Sequence, residues 1–348
     1  MSKKITTIIL VFLWLSLAFA QDKKYVVHTI AFYNTENLYD TINDPGVNDE
    51  EFLPDGEKFW DAAKYRKKLN NIATVIADIG TDTNPDSPTI VGLAEIENRG
   101  VLEDLVQTDL LIEKGYGIVH FDSPDRRGID VALLYRKSKF KPESYRSIPL
   151  IIKNEETEDG KAVPYLTRSQ LLVTGLLEGE EVSFIVNHWP SRLGGERKSK
   201  PYRDAAGMLN RKIVDSLYTI NPEAKIITMG DFNDGPYNNS VRKELGAKDR
   251  RPQVQPLELY NPMGKMARDG IGSAAYRDNW SLFDQIILSE PLLRNDFSTL
   301  QFWKAGVYNK TYLTQISGQY KGYPLRSHNG EVGYSDHFPV YAYLIKEM

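Results

Sequence analysis

Lys225-Ile226-Ile227-Thr228-Met229 runs directly into Gly230-Asp231-Phe232-Asn233. The apolar run reads as a buried strand, and the four residues after it as the point where that strand leaves the core. Asp231 and Asn233 stand two positions apart, so both polar groups emerge on one side. Taken singly, an Asp and an Asn after a strand are ordinary turn formers. They gain weight because other strand ends carry similar cargo: Asn34, Glu95, the pair Asn187-His188 and the pair Asp336-His337.

Outward from that strand, the chain alternates short extended runs with few helices. Tyr25 to Tyr33 reads as a strand leading into Asn34-Thr35-Glu36-Asn37-Leu38, and Thr89 to Ala94 as a buried strand ending at Glu95. Between them Tyr65, Leu69, Ile72, Ile76 and Ile79 share one helical face, which predicts a helix covering a sheet. A second helix follows through Leu102, Leu105, Val106 and Leu110. Gly117 to Phe121 and Ile129 to Tyr135 form a predicted hairpin across Ser123-Pro124-Asp125-Arg126-Arg127-Gly128. Ser169 to Leu177 pairs with Val182 to Val186, and a helix from about Pro201 to Thr219 precedes the Lys225 strand. Phe232 to Trp280 reads as loop-rich, Leu282 to Leu288 as a strand carrying Asp284, and a last strand follows His337. Hairpins among interleaved helices predict mixed sheets rather than one parallel sheet.

Composition sets the class. With 41% apolar and 26% charged residues, the chain is that of a globular protein. Residues 1–20 differ: Lys3-Lys4, an apolar run from Ile8 to Leu15, then Ala18-Phe19-Ala20 read as a secretory signal peptide cut after Ala20. An uncut anchor is the alternative, though the run is short for a membrane span. The expectation is a secreted or periplasmic protein, residues 21–348 forming one domain, monomeric and with no stable membrane insertion after cleavage. Setting Lys3 and Lys4 aside leaves 41 basic against 47 acidic residues and moves the net charge from −4 to −6. That excludes a protein that coats nucleic acid through its overall field, but not a local basic loop that grips phosphate. With no cysteine, disulfides and thiolate chemistry are excluded.

Asn34, Glu95, Asp231, Asn233, Asp284 and Asp336 are hard oxygen donors at strand ends, the chemistry that suits Mg²⁺, with Mn²⁺ or Ca²⁺ as alternatives. Zinc fits poorly, since no two histidines stand at ligand spacing. His188 and His337 each follow a polar strand-end residue and precede an aromatic, and an imidazole beside a carboxylate can move a proton at a phosphate. Glu95 and Asp284 are the carboxylates available to orient them. His28 and His120 lie within strands and read as structural. The basic stretch Arg192, Arg197, Lys198, Lys200, Arg203 is either a solvated connection or a phosphate-gripping lip with Arg192 nearest the histidine. Trp189, Tyr276 and Trp280 could stack on a base or sugar, or simply pack against loops.

The order of these segments resembles the endonuclease/exonuclease/phosphatase superfamily, the DNase I-like enzymes, in a secreted bacterial form. The resemblance is carried by Tyr33-Asn34-Thr35-Glu36-Asn37-Leu38, Leu93-Ala94-Glu95-Ile96-Glu97-Asn98, Asn187-His188-Trp189-Pro190-Ser191-Arg192, Gly230-Asp231-Phe232-Asn233, Phe283-Asp284-Gln285 and Ser335-Asp336-His337-Phe338-Pro339. It implies an α+β fold: a four-layer α/β/β/α sandwich in which two mixed β-sheets pack face to face. It further implies that Asn34 and Glu95 ligate a metal, with Asp336 near it or near a second one. His337 paired with Asp284 would contact the scissile phosphate, Asp231 and Asn233 would orient water and bind phosphate oxygens, and His188 would be a general acid. Arg168 matches a strand-start arginine of the family and, with Asn187 and Arg192, is expected at the substrate. Which residue is the base stays open. The activity implied is metal-dependent phosphoric ester hydrolysis, by a nuclease with nucleic acid as substrate. Inositol phosphate phosphatase, sphingomyelin-directed phospholipase C and a catalytically silent binding module are the alternatives.

Overall fold

The computed structural model describes residues 24–158 and 161–348. The expected signal peptide lies outside them, and no helix among the described residues is long and apolar enough to cross a membrane. In chain order come β1 (Tyr25–Leu38), helix α1 (Ala62–Asp78), β2 (Ile90–Ile96), α2 (Arg99–Val106), β3 (Tyr116–His120) and β4 (Asp130–Arg136). Next are β5 (Phe140–Ile148), the hairpin β6 (Ile152–Glu158) and β7 (Lys161–Tyr165), β8 (Gln170–Leu177) and β9 (Glu180–His188). Helix α3 (Glu196–Ile220) leads to β10 (Lys225–Asp231), then β11 (Ala247–Lys248), β12 (Leu259–Tyr260) and α4 (Met263–Arg268). The chain closes with the hairpin β13 (Ala274–Tyr276) and β14 (Asn279–Ser281), then β15 (Asp284–Ser289), β16 (Gln301–Val307) and β17 (Val340–Glu347).

Two mixed sheets result, ordered β16-β17-β1-β2-β4-β3 and β11-β12-β15-β10-β9-β8-β5. Each has a parallel central pair, β1 with β2 and β9 with β10, flanked by antiparallel neighbours. Period-two alternation builds the layers. In β1, Phe32 points between the sheets, where it joins Leu133, Phe184, Met229 and Ile286. Its neighbours Ala31 and Tyr33 point outward, under Ile72 and Ile76 of α1 and Leu102 of α2. On the other sheet Ile185, Ile226 and Ile287 meet Ala206, Ile213 and Val214 of α3. Three apolar interfaces make four layers, the expected α/β/β/α sandwich. Truncating a fully buried ring such as Phe184 to Ala would cost about 3–5 kcal/mol.

The α1 apolar face expected from the sequence is the one that packs, and Asp61 caps the helix by accepting from the N–H groups of Ala63 and Lys64. α3 begins at Glu196, five residues before the expected Pro201. Its first turn forms because Ser199 N–H reaches Gly195 O, at 3.1 Å, with Pro201 accommodated inside. The stretch read as loop-rich holds a π-helical turn at Ser240–Glu244, α4 and the β13–β14 hairpin. These elements are too short to impose a periodicity on the sequence. Gly230 is required where β10 passes β9, since a Cβ there would lie 2.3 Å from Asn187 O.

Candidate active site

The C-terminal ends of both parallel pairs open at the same end of the sandwich, delivering Asn34 and Glu95 from one sheet and His188 and Asp231 from the other. Antiparallel β15 starts there with Asp284, and the segment entering β17 brings Asp336 and His337. The sheets are tied across this mouth by Asn34 Nδ2, which donates to Asp231 Oδ2 at 3.1 Å.

Glu95 is held in an unusual backbone state. It is the bulged residue where the β2–β4 register shifts between Ala94 and Ile96, and its φ is +62°. A left-handed conformation is costly for a side chain of this kind and is retained where it re-aims a group. Here Glu95 Oε2 accepts the Asn37 N–H at 2.9 Å, while Oε1 faces His188 Nε2 at 3.8 Å. The donor's own loop is also left-handed, at Glu36 and Asn37.

Two histidines flank Asp231 and meet opposite surroundings. His337 Nδ1 donates to Asp284 Oδ2 at 2.6 Å, and its Nε2 lies 3.9 Å from Asp231 Oδ2. Burial would depress its basicity, but the Asp284 and Asp231 carboxylates outweigh that and raise its pKa well above the usual imidazole value. His188 Nε2 is 3.6 Å from Asp231 Oδ2, and its Nδ1 is buried without a hydrogen-bond partner. Burial first, then the charges of Arg168, Arg127 and His337, push its pKa well below the usual value. Asp231 is buried, which with Asp284 raises its carboxyl to about 7 against the opposing pull of His337. Ser273 donates to Asp284 Oδ2, and Asn233 N–H donates to Asp231 Oδ1 at 2.8 Å.

The structure thus brings together Asn34, Glu95, His188, Asp231, Asn233, Asp284, Asp336 and His337, but several roles differ from expectation. Asn34 accepts Glu36 N–H on its oxygen at 3.0 Å and donates its amide to Asp231, so it also positions that carboxylate. Asn233 Nδ2 donates to Trp189 O at 3.0 Å, and its backbone N–H braces Asp231. Burial disfavours the charged form of His188, the residue expected as general acid. Asn187 is fully buried and donates to Thr228 Oγ1 and Met229 O at 2.9 and 3.0 Å, so the substrate contact expected of it is withdrawn. Arg168 is buried too, paired with Asp125 at 2.8 Å and donating to His188 O and Trp189 O. Arg192, expected to grip phosphate, binds Asp234 at 3.0 Å, Glu196 at 2.8 Å and Asn233 O at 2.8 Å. Trp189 stacks on Phe232 inside the core, whereas Tyr276 and Trp280 remain exposed. Sequence reasoning missed the anchors Ser273, Asp125 and Asp234, whose residue types match countless turn positions.

A divalent cation fits the donors present. Glu95 keeps one unbonded oxygen, Asp336 is part-exposed, and Asp231 lies between them and the histidines. Four carboxylates, Glu95, Asp231, Asp284 and Asp336, converge around the two histidines with Arg326 at the Asp336 edge, an excess of negative charge on hard oxygen. Asp231, Asp284 and His337 are mutually close enough to share an ion, but the Asp284–His337 hydrogen bond already occupies Nδ1.

A sequence profile described as "Endonuclease/Exonuclease/phosphatase family" matches residues 29–346, nearly the whole described chain. The chain belongs to this endonuclease/exonuclease/phosphatase family. Members of the family are metal-dependent phosphoric ester hydrolases. Solved structures share the fold. A Bacteroides thetaiotaomicron endonuclease/exonuclease/phosphatase family protein aligns with TM-score 0.55 and 18% identity over 94% of this chain and 98% of its own. A B. thetaiotaomicron mannosyl-6-phosphatase gives 0.53 and 17% over 91% and 99%, and D. rerio TDP2 complexed with a single-strand DNA product gives 0.53 and 12% over 91% and 98%. No match was found among curated protein sequences.

Proposed function

We propose that this chain is a secreted, Mg²⁺-dependent phosphodiesterase, an endonuclease that hydrolyses nucleic acid by in-line attack of water, working as a single domain over residues 21–348. The observation that carries the hydrolytic reading is Asp231 within 4 Å of two unlike imidazoles, one bonded to Asp284 and one buried with its Nδ1 unpartnered. Glu95 and Asp336 would hold the metal. When bound, that ion polarises a phosphoryl oxygen and steadies the leaving group.

The side chains supply the rest. Asp231, with a pKa near neutrality, is suited to accept the proton of the attacking water. His337, kept protonated by Asp284, holds positive charge against the phosphoryl oxygens as charge builds there. Neutral His188 donates or accepts a hydrogen bond at Nε2 beside Glu95 and Asp231. Asn34 and Asn233 keep Asp231 oriented.

Exposed Arg197, Lys198 and Lys200 at the start of α3 suit a polyanionic chain. The DNA product in the D. rerio TDP2 structure shows that this fold can serve such a ligand. A phosphomonoesterase is the second reading, favoured by the internal pairing of Arg192, which removes the expected grip on a nucleic acid backbone. A Mg²⁺-supplemented panel of DNA, RNA, bis-p-nitrophenyl phosphate, sphingomyelin, inositol phosphates and a sugar phosphate separates them. Cleavage of DNA or RNA supports the nuclease, and exclusive cleavage of monoesters overturns it.

A further inference from the structure

We propose that Arg127, with Arg126 beside it, is the arginine that contacts the substrate's phosphoryl group from the His188 side of the site. This rests on the phosphoric ester hydrolase reading above and adds to it a residue in the turn between β3 and β4.

Of the other arginines near the site, Arg326 lies on the Asp336 side, 4.0 Å from that carboxylate, and pairs with Glu36 at 3.3 Å. Arg168 and Arg203 are buried in ion pairs, and Arg192 makes three close contacts, to Glu196 of α3 and to Asn233 and Asp234 after β10. Each already has a close carboxylate partner, and freeing Arg168 would leave buried Asp125 without one. Arg127 and Arg126 differ. Both are exposed, and the Arg127 guanidinium has a single loose pairing, Nε to Asp125 Oδ1 at 3.6 Å. Arg126 has no side-chain partner among the described residues.

The backbone that carries them is nevertheless fixed from three directions. Asp125 Oδ1 accepts Arg127 N–H at 2.9 Å while its Oδ2 takes Arg168 Nη1, and Arg168 in turn holds His188 O and Trp189 O. The Arg126 carbonyl accepts Asn48 N–H at 2.7 Å, and the Arg127 carbonyl accepts the Tyr39 hydroxyl. Gly128, at φ +66°, packs so closely on Val47 that a Cβ would lie 2.8 Å from it. Asp125 therefore links the arginine turn to the His188 strand end through two hydrogen bonds. The Arg127 guanidinium is thereby one carboxylate and one arginine away from the His188 backbone, and the Arg127 carbonyl is bonded to Tyr39. A rigid backbone bearing a free guanidinium beside a reaction centre is what oriented, bidentate phosphate recognition requires.

The test uses the mature chain with Mg²⁺ and inorganic phosphate as the probe, measured by calorimetric titration and as a product inhibitor. Arg127→Gln is expected to weaken phosphate about tenfold or more, the scale of one lost charge-assisted hydrogen bond. Arg127→Lys should recover part of it. Lys141→Gln, an exposed charge change at the opposite end of β5, should stay within about twofold of wild type. Thermal midpoints should match throughout, since the Arg127 side chain is 46% exposed. Unchanged phosphate affinity in Arg127→Gln overturns the proposal. If wild type cleaves no phosphate ester yet its phosphate binding still depends on Arg127, the enzymatic reading fails and the anion contact stands. If wild type and Arg127→Gln cleave alike, the contact fails alone.

Discussion

Glu95 combines a left-handed backbone with a carboxylate that the chemistry requires, so stability and activity should part company at this residue. A non-glycine side chain at φ +62° costs about 1–2 kcal/mol, and glycine removes that cost. Glycine in turn loses about 0.5–1 kcal/mol more chain entropy on folding than alanine. Glu95→Gly and Glu95→Ala both lose the acceptor of Asn37 N–H, so that term cancels between them. The glycine variant should therefore be the more stable by about 0.5–1 kcal/mol. At some 2.1 cal/mol/K per residue, this chain's unfolding entropy is about 0.7 kcal/mol/K, so the midpoints should differ by about 1 °C.

The assay is paired urea and thermal unfolding of the two variants, with turnover and Mg²⁺-dependent thermal shift measured alongside. Wild type should gain stability with Mg²⁺ by mass action, and both variants should lose most of that gain together with activity. An alanine variant as stable as the glycine variant would refute the strained-bulge account. A full Mg²⁺ shift in either would refute Glu95 as a ligand.

Four further outcomes are expected. Asp284→Asn removes the charge that keeps His337 protonated, so the His337 pKa followed by NMR should fall and turnover should drop about 10–100-fold, with Ser273 still able to bond the amide. His337→Ala, or EDTA treatment of wild type, should lower turnover by about 10³-fold or more with native circular dichroism retained. Asn187→Leu should destabilise by about 2–3 kcal/mol in urea unfolding, because Thr228, Trp189 and Asn210 lose a buried partner, with KM little changed in the surviving enzyme. Finally, burial lowers the pKa of His28 despite Glu178. The unfolded chain then binds the extra proton first, so this stability is present above about pH 6.5 and is lost as pH falls toward the folded-state value. Urea midpoints at pH 7.5 and 5.5 should diverge less in His28→Gln than in wild type.

Strand ends were legible because period-two patterning and apolar length survive in one dimension. Tyr25 to Tyr33, Thr89 to Ala94 and Lys225 to Met229 needed no partner to be recognised as strands. β16 and the β6–β7 hairpin were not picked out. In β16, Trp303 and Lys304 face solvent and the register slips between Phe302 and Lys304, which blurs the alternation. Site chemistry was legible by residue type and not by atom. The sequence presents Asn187 and His188 as an adjacent polar pair, yet alternation along β9 sends one into the core under α3 and the other into the site. Arg192 looked free because Asp234 and Glu196 become its partners only when the loop folds back. Arg127 looked like a turn residue because it is one, and what distinguishes it is the absence of a close partner in three dimensions.

The sequence left the roles of Asp231 and His337 interchangeable, and the two histidines give a physical reason to separate them. Asp231 Oδ2 lies within 4 Å of both imidazoles, so proximity to it cannot make one cationic and the other neutral. The difference comes from the far side of each ring. His337 backs onto the Asp284 carboxylate, whereas His188 is buried with an unpartnered Nδ1 and feels the positive charges of Arg168 and Arg127. Environments that push neighbouring titratable groups apart assign acid and base between them. A cationic His337 cannot take a proton from water, but a carboxylate with a pKa near 7 can, which favours Asp231 as base and His337 as anchor. The proposed contact at Arg127 is compatible with this division, because its charge adds to burial and to Arg168 in lowering the basicity of His188.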